Sequence, residues 1–210
     1  AGALESATFA TATDTPAYES VATVTFTTAG RVETGGKIVL VLPAESGAQR
    51  GWRFMDGGTP SVETSGTSNA PTITFTTPNS NAPTAGSVQY TSGTRTLVFT
   101  VGSSNMAQLT QYAFIIANII TPSSIVGVNS IVATTQDSES KSIDTTSSMA
   151  TDQIVSGVLT SATFATAVDT PGYESVATVS FTTAGRVEVG GKVVLVMPAE
   201  FGAQHSWRFT

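Results

Sequence analysis

The chain has 210 residues, 40% of them hydrophobic and only 11% charged, with a net charge of −6. That is too apolar for a disordered polymer, and too poor in clustered Lys and Arg for a partner with a phosphate backbone, so nucleic acid is not expected. With no cysteine and one histidine, His205, disulfides, thiolate metal sites and Ser-His-Asp or Cys-His catalysis lose their central residues.

Two-residue alternation runs from segment to segment. Ala22, Val24 and Phe26 alternate with Thr23, Thr25 and Thr27; Ile73 and Phe75 with Thr72, Thr74 and Thr76; Leu97, Phe99 and Val101 with Thr96, Val98 and Thr100. This period, in β-branched and aromatic residues, predicts strands with one buried face. In chain order they are expected near 6–13, 19–28, 36–42, 50–55, 60–65, 71–77, 87–91, 95–101, 111–119 and 126–135, with a further extended piece at 152–158. Turn signals separate them, among them Asp14-Thr15-Pro16, Gly35-Gly36, Gly57-Gly58 and Pro122. Ser103–Tyr112 is the one short helix candidate. The expected class is all-β, an antiparallel Ig-like β-sandwich. No apolar stretch has the length of a membrane-spanning helix, so membrane insertion is not expected. No cleavable leader opens the sequence.

Two runs break the alternation: Ile38-Val39-Leu40-Val41-Leu42, and Phe114-Ile115-Ile116 followed by Ile119. A continuously apolar strand is covered on both faces. The second cover is either a loop of the same domain or a neighbouring protomer, and on the latter reading these nine residues are candidates for inter-subunit contact.

The chain also repeats itself. Residues 162–209 restate residues 7–54 with nine differences, at an offset of 155 residues. A period of this length suits a whole domain and marks a tandem array. Residues 1–155 are then one complete repeat and 156–210 the first third of the next. An alternative phase runs from about residue 55 to 209, with 1–54 completing a preceding domain. On the first phase Phe164, Val179, Phe181, Val193–Met197 and Trp207 lack packing partners. Leaving several such side chains in water costs on the order of 2 kcal/mol each, so the rest of the next repeat, or another protomer, is expected to cover them.

Three features carry a resemblance: VTFTTAGRVETGGKIVLVLP at 24–43, FIIANIITPSSIVGVNSIVATTQDSESKSID at 114–144, and the repeat spacing. Together they resemble the tandem Ig-like repeats of very large secreted or cell-surface proteins of algae and other protists, with looser similarity to bacterial adhesin repeats. The resemblance implies an extracellular building block of fibres, coats or adhesive stalks whose partners are copies of itself, and it brings no active site with it.

The remaining chemistry is sparse. Asp137, Glu139 and Asp144 fall in a loop-like stretch and could offer oxygens to calcium, and Asp14, Asp169 and Asp152 raise a junctional calcium; the spacing lacks the density of a dedicated calcium loop, and no cofactor is expected. No pair of carboxylates stands out as a glycosidase pair. Trp52, with Phe54 two residues on, reads as a core tryptophan more readily than as a sugar-stacking platform. Tyr18 and Tyr173 are candidates for the seam between repeats. His205 stands opposite Arg50 of the earlier copy, so no function of the repeat can depend on its imidazole. The Thr-rich strands read as ordinary outward positions, not an ice-binding face. No Asn-x-Ser/Thr sequon is present, while the exposed hydroxyls leave O-linked sugar open. The expected function is a structural repeat of an extracellular filament, surface fibre or coat, not an enzyme; the alternative is an adhesin stalk that recognises glycan or protein.

Overall fold

The computed structural model describes residues 1–44, 51–54, 71–76, 82–198 and Trp207. Outside them lie the strand expected at 60–65, the Gly57-Gly58 turn, Arg50 and His205. The described residues form strands β1 (Gly2–Ala3), β2 (Glu5–Thr11), β3 (Glu19–Thr27), β4 (Lys37–Val41), β5 (Arg53–Phe54), β6 (Ile73–Phe75), β7 (Ala85–Thr91), β8 (Thr96–Val101), β9 (Gln111–Ile120), β10 (Ser130–Gln136), β11 (Ser142–Ala150), β12 (Thr160–Thr166) and β13 (Ala177–Thr182). Among them there is no α-helix, only a 3-10 turn at Ser92–Thr94.

The strands make one sheet in the order β1-β11-β10-β4-β8-β7 and a second in the order β2-β3-β9-β5, with β6 also paired to β9. Pairing is antiparallel except between β1 and β11, which run parallel. The alternation expected along β3 and β8 appears as alternating burial, and β4, whose apolar run breaks the alternation in sequence, shows alternating burial too. The two sheets share one core, and aromatic side chains span it: Phe99 of β8 lies 5.0 Å from Phe114 of β9, and Tyr90 of β7 lies 4.6 Å from Phe54 of β5. This all-β, two-sheet arrangement is compatible with a β-sandwich. Among the described residues the core cluster runs from Leu4 to Ile154, all within the first copy.

Three expectations change on contact with the structure. The helix candidate Ser103–Tyr112 is not a helix: Met106 is buried in a bridge to Val32, a turn with Leu109 at φ 51° follows, and Gln111 opens β9. The strand expected from 126 starts at Ser130, while Val126 forms a separate bridge to Ile154. Finally, the stretch read as a loop around 137–146 is the β10–β11 hairpin, and β11 extends to Ala150. Its sequence SIDTTSSMA holds only two large apolar residues, so the alternation is too faint to announce a strand. It is paired on both sides nonetheless, by β10 and β1.

Candidate functional site

The second copy rebuilds local structure that the first copy already has. Strands β12 and β13 pair as β2 and β3 do, with the same register shift after the first pair and a left-handed serine in the bulge, Ser161 and Ser6. Thr166 hydrogen-bonds Asp169 as Thr11 does Asp14. The Val168 N–H donates to Ser175 Oγ at 2.9 Å, as the Thr13 N–H does to Ser20 Oγ at 3.1 Å. Phe164 and Trp207 meet edge to face at 5.0 Å, where Phe9 and Trp52 meet at 5.3 Å. Yet among the described residues β12 and β13 pair only with each other. Phe9 is 2% exposed and Phe164 40%; Trp52 is 4% exposed and Trp207 49%.

Between the copies lies a joint. Its first half is the Thr15-Pro16-Ala17 turn, fixed from behind by the β9 end. Buried Thr121 donates through its hydroxyl to the Thr15 carbonyl at 2.5 Å and accepts from the Tyr18 N–H at 2.9 Å. The Ala17 N–H donates to the Pro122 carbonyl at 2.8 Å. These bonds hold Ala17 in the left-handed region, at φ 51°. The connector is tied alongside: Asp152 accepts from the Thr11 N–H at 2.7 Å, and the Val155 N–H donates to the Asp14 carbonyl at 2.9 Å.

The second half is the loop Ala184-Gly185-Arg186-Val187-Glu188. The Arg186 N–H donates to the Ala17 carbonyl at 3.3 Å. Gly185 lies so close to the turn that a Cβ there would sit 2.0 Å from the Pro16 carbonyl oxygen. Gly157 is equally crowded: its Cβ would sit 2.7 Å from the Thr15 methyl and 2.4 Å from the Ala184 methyl. The Glu188 carboxylate pairs with the Arg53 guanidinium of the first copy. Both side chains are largely withdrawn from water, 11% and 20% exposed, where a charge pair attracts more strongly than on an open surface.

The same loop in the first copy is Ala29-Gly30-Arg31-Val32-Glu33, and there its shape has a visible cause. The fully buried Asp144 accepts from the Ala29 N–H at 3.2 Å, from the Gly30 N–H at 3.0 Å and from the Thr135 hydroxyl at 3.3 Å. Val32 exchanges both backbone hydrogen bonds with Met106, at 2.8 and 2.9 Å. Here Glu33 is 62% exposed and pairs only locally, with Arg31 at 3.0 Å.

The residues considered for calcium are not brought together. Asp144 faces the core, while Asp137 sits at the β10–β11 turn and accepts from the Glu139 and Lys141 N–H groups, each at 2.9 Å. Glu139 pairs with Lys141 at 2.6 Å on the surface. Among the described residues no group of three or more His, Asp or Glu side chains could hold a metal.

The nine residues considered for inter-subunit contact divide by pleat. Ile38, Leu40, Leu42, Phe114, Ile116 and Ile119 are buried in the core of their own copy. Only Val39, Val41 and Ile115 face outward, half-buried. Trp52 is a core residue. Tyr18 is partly exposed and its backbone bonds Thr121 of its own copy, while Pro16 and Ala17 make the close contacts to the second copy. Sequence reasoning missed the Arg53–Glu188 pair. Its trace is that the period also carries Arg208 and Glu33, a signal with no meaning until the copies are placed in space.

Among the described residues no helix is long and apolar enough to cross a membrane. Compared with protein-family models, curated proteins and solved structures, the chain matches none.

Proposed function

We propose that this chain is a structural repeat of an extracellular filament, surface fibre or coat, built from Ig-like β-sandwiches in tandem and without catalytic activity. The joint carries this reading. It is made of residues that the period restates: the Thr-Pro turn, the Ala-Gly-Arg-Val-Glu loop, and an Arg and a Glu that meet across the seam. A contact whose two halves both recur in every unit is what a polymer requires, since each unit must present the same surfaces to the next. The low charge and hydroxyl-rich outward positions suit a wet, densely packed assembly. Copies of itself are the proposed partners.

Imaging the native material by negative stain tests the reading. A regular beaded or helical fibre is the expected result, and isolated stalks ending in distinct heads would replace it with the adhesin reading. That second reading draws on a shallow depression beside the joint, lined by Thr13, Tyr18, Glu19 and Asn118, where an aromatic ring and polar groups could meet a sugar. Glycan binding lost on Tyr18→Ala would favour it.

A further inference from the structure

We propose that the depression beside the β2–β3 turn is a binding site for an uncharged sugar, with the Tyr18 ring as its platform and the Asn118 amide as its polar arm. The proposal rests on the glycan reading set beside the fibre, to which it adds a ligand class and an anchoring residue. All of its residues belong to the first copy, so it does not depend on the joint.

Three observations lead there. First, β9 carries a bulge at this place. Ser20 pairs with Ile119 and Ala22 with Ile116, so Val21 faces two residues, Ala117 and Asn118. Asn118 takes up the extra length in the left-handed region, at φ 58°. Ile119 and Ile120 are then both buried, while Asn118 is exposed in the lining of the depression. A bulge re-aims a side chain, and asparagine is among the few residues that accept this backbone.

Second, the platform is already ordered. Thr121 fixes both backbone groups of Tyr18: its hydroxyl accepts from the Tyr18 N–H at 2.9 Å, and its N–H donates to the Tyr18 carbonyl at 3.0 Å. Tyr18 is nonetheless 39% exposed. The floor is fixed as well, by the Thr13 N–H on Ser20 Oγ at 3.1 Å and the Ala12 N–H on the Val21 carbonyl at 3.0 Å. Such preorganisation lowers the ordering cost of binding.

Third, the lining selects the ligand. Around Tyr18 stand the Thr13 hydroxyl, the Glu19 carboxylate and the Asn118 amide, and among the described residues no cation lines the depression. An aromatic face accepts the C–H face of a pyranose, while amide, carboxylate and hydroxyl exchange directional bonds with its hydroxyls. Glu19 and the net charge of −6 oppose an anionic sugar. One open ring beside one carboxylate is a poor enclosure for an organic cation, which is held by a cage of several rings.

The test is a nuclear magnetic resonance titration of the isotope-labelled 210-residue chain. The probes are the methyl glycosides of glucose, galactose, mannose and N-acetylglucosamine, with sialic acid and tetramethylammonium as charged controls. At least one neutral glycoside is expected to shift the Tyr18, Glu19 and Asn118 amides with a Kd of roughly 1–10 mM, as suits a shallow single site. Both charged probes are expected to leave these amides in place. Asn118→Gly is the decisive variant, because glycine suits the left-handed backbone and keeps the bulge while the amide side chain is lost. It is expected to retain the melting temperature and to weaken binding at least about tenfold, as is Tyr18→Ala. The proposal is overturned if no neutral glycoside shifts these amides, if a charged probe shifts them as strongly, or if Asn118→Gly or Tyr18→Ala binds like the unaltered chain. Stalks with distinct heads in the native material, together with a negative titration, would leave the adhesin reading standing and remove only this site.

Discussion

A carboxylate taken out of water needs donors, and Asp144 finds two backbone amides and one hydroxyl. Its loop partners cannot be satisfied otherwise, because Ala29 and Gly30 turn their N–H groups inward onto β11. Asp144→Ala should leave those amides buried without acceptors, at a cost on the order of 3 kcal/mol in unfolding free energy, measured by urea denaturation. The same variant should disturb the Ala29–Glu33 loop more than the sheets. A calcium chelator should leave the melting temperature of the unaltered chain unchanged, since Asp137, Glu139 and Asp144 each have protein partners of their own. A drop of several degrees on chelation would restore a metal to the account.

At the level of elements, the β3–β4 connection shows how a local sequence sets a local shape. In Glu33-Thr34-Gly35-Gly36 the Gly36 N–H closes the turn onto the Glu33 carbonyl at 2.8 Å, and Gly191 does the same onto Glu188 at 2.8 Å. Gly35 and Gly190 both adopt left-handed φ, 86° and 88°, which a turn of this type needs at its third residue. The two glycines have different reasons to be glycine. A Cβ on Gly35 meets only the Ser138 side chain at 3.9 Å, so Gly35→Ala should cost about 1–2 kcal/mol through its backbone alone. A Cβ on Gly36 would lie 2.7 Å from the Gln136 carbonyl oxygen and 2.9 Å from that of Glu33, and neither backbone atom can easily give way. Gly36→Ala should therefore lower the thermal midpoint more than Gly35→Ala does, and the reverse order would show that the turn can shift away from β10.

At the scale of the whole molecule, two tryptophans report on two environments. Trp52 is enclosed by the core and Trp207 is half open to water. Collisional quenching by acrylamide should act mainly on Trp207, so Trp207→Phe should leave a blue-shifted emission that resists quenching. In assembled fibres the Trp207 signal should shift to the blue, because covering the second copy's apolar face recovers on the order of 2 kcal/mol per large side chain. An equally exposed Trp207 in the fibre would mean that this face remains bare there. Limited proteolysis of the 210-residue chain should cut first in the connector at 156–159, where Val158 is exposed, and leave the first copy intact.

The sequence by itself determined the all-β class, most strand positions and the repeat, because side chains that alternate along a strand and glycines that close a turn act through neighbours a few residues away. The second copy makes the point physically: its hairpin bulge, its Thr–Asp and Ser bonds and its glycine turn all form without the first copy's core around them. Only the tertiary structure decided what the apolar runs and the acids do. Ile38, Leu40 and Leu42 differ from Val39 and Val41 only in which way the pleat points them. Strand β11 is a strand because β10 and β1 hold it on either side, and its own residues barely signal it. Asp144 is a loop clamp because 114 residues of chain bring Gly30 onto it. Arg53 finds Glu188 across 135 residues, a separation at which no local pattern carries information and only the packing of one copy against the next can set the partner.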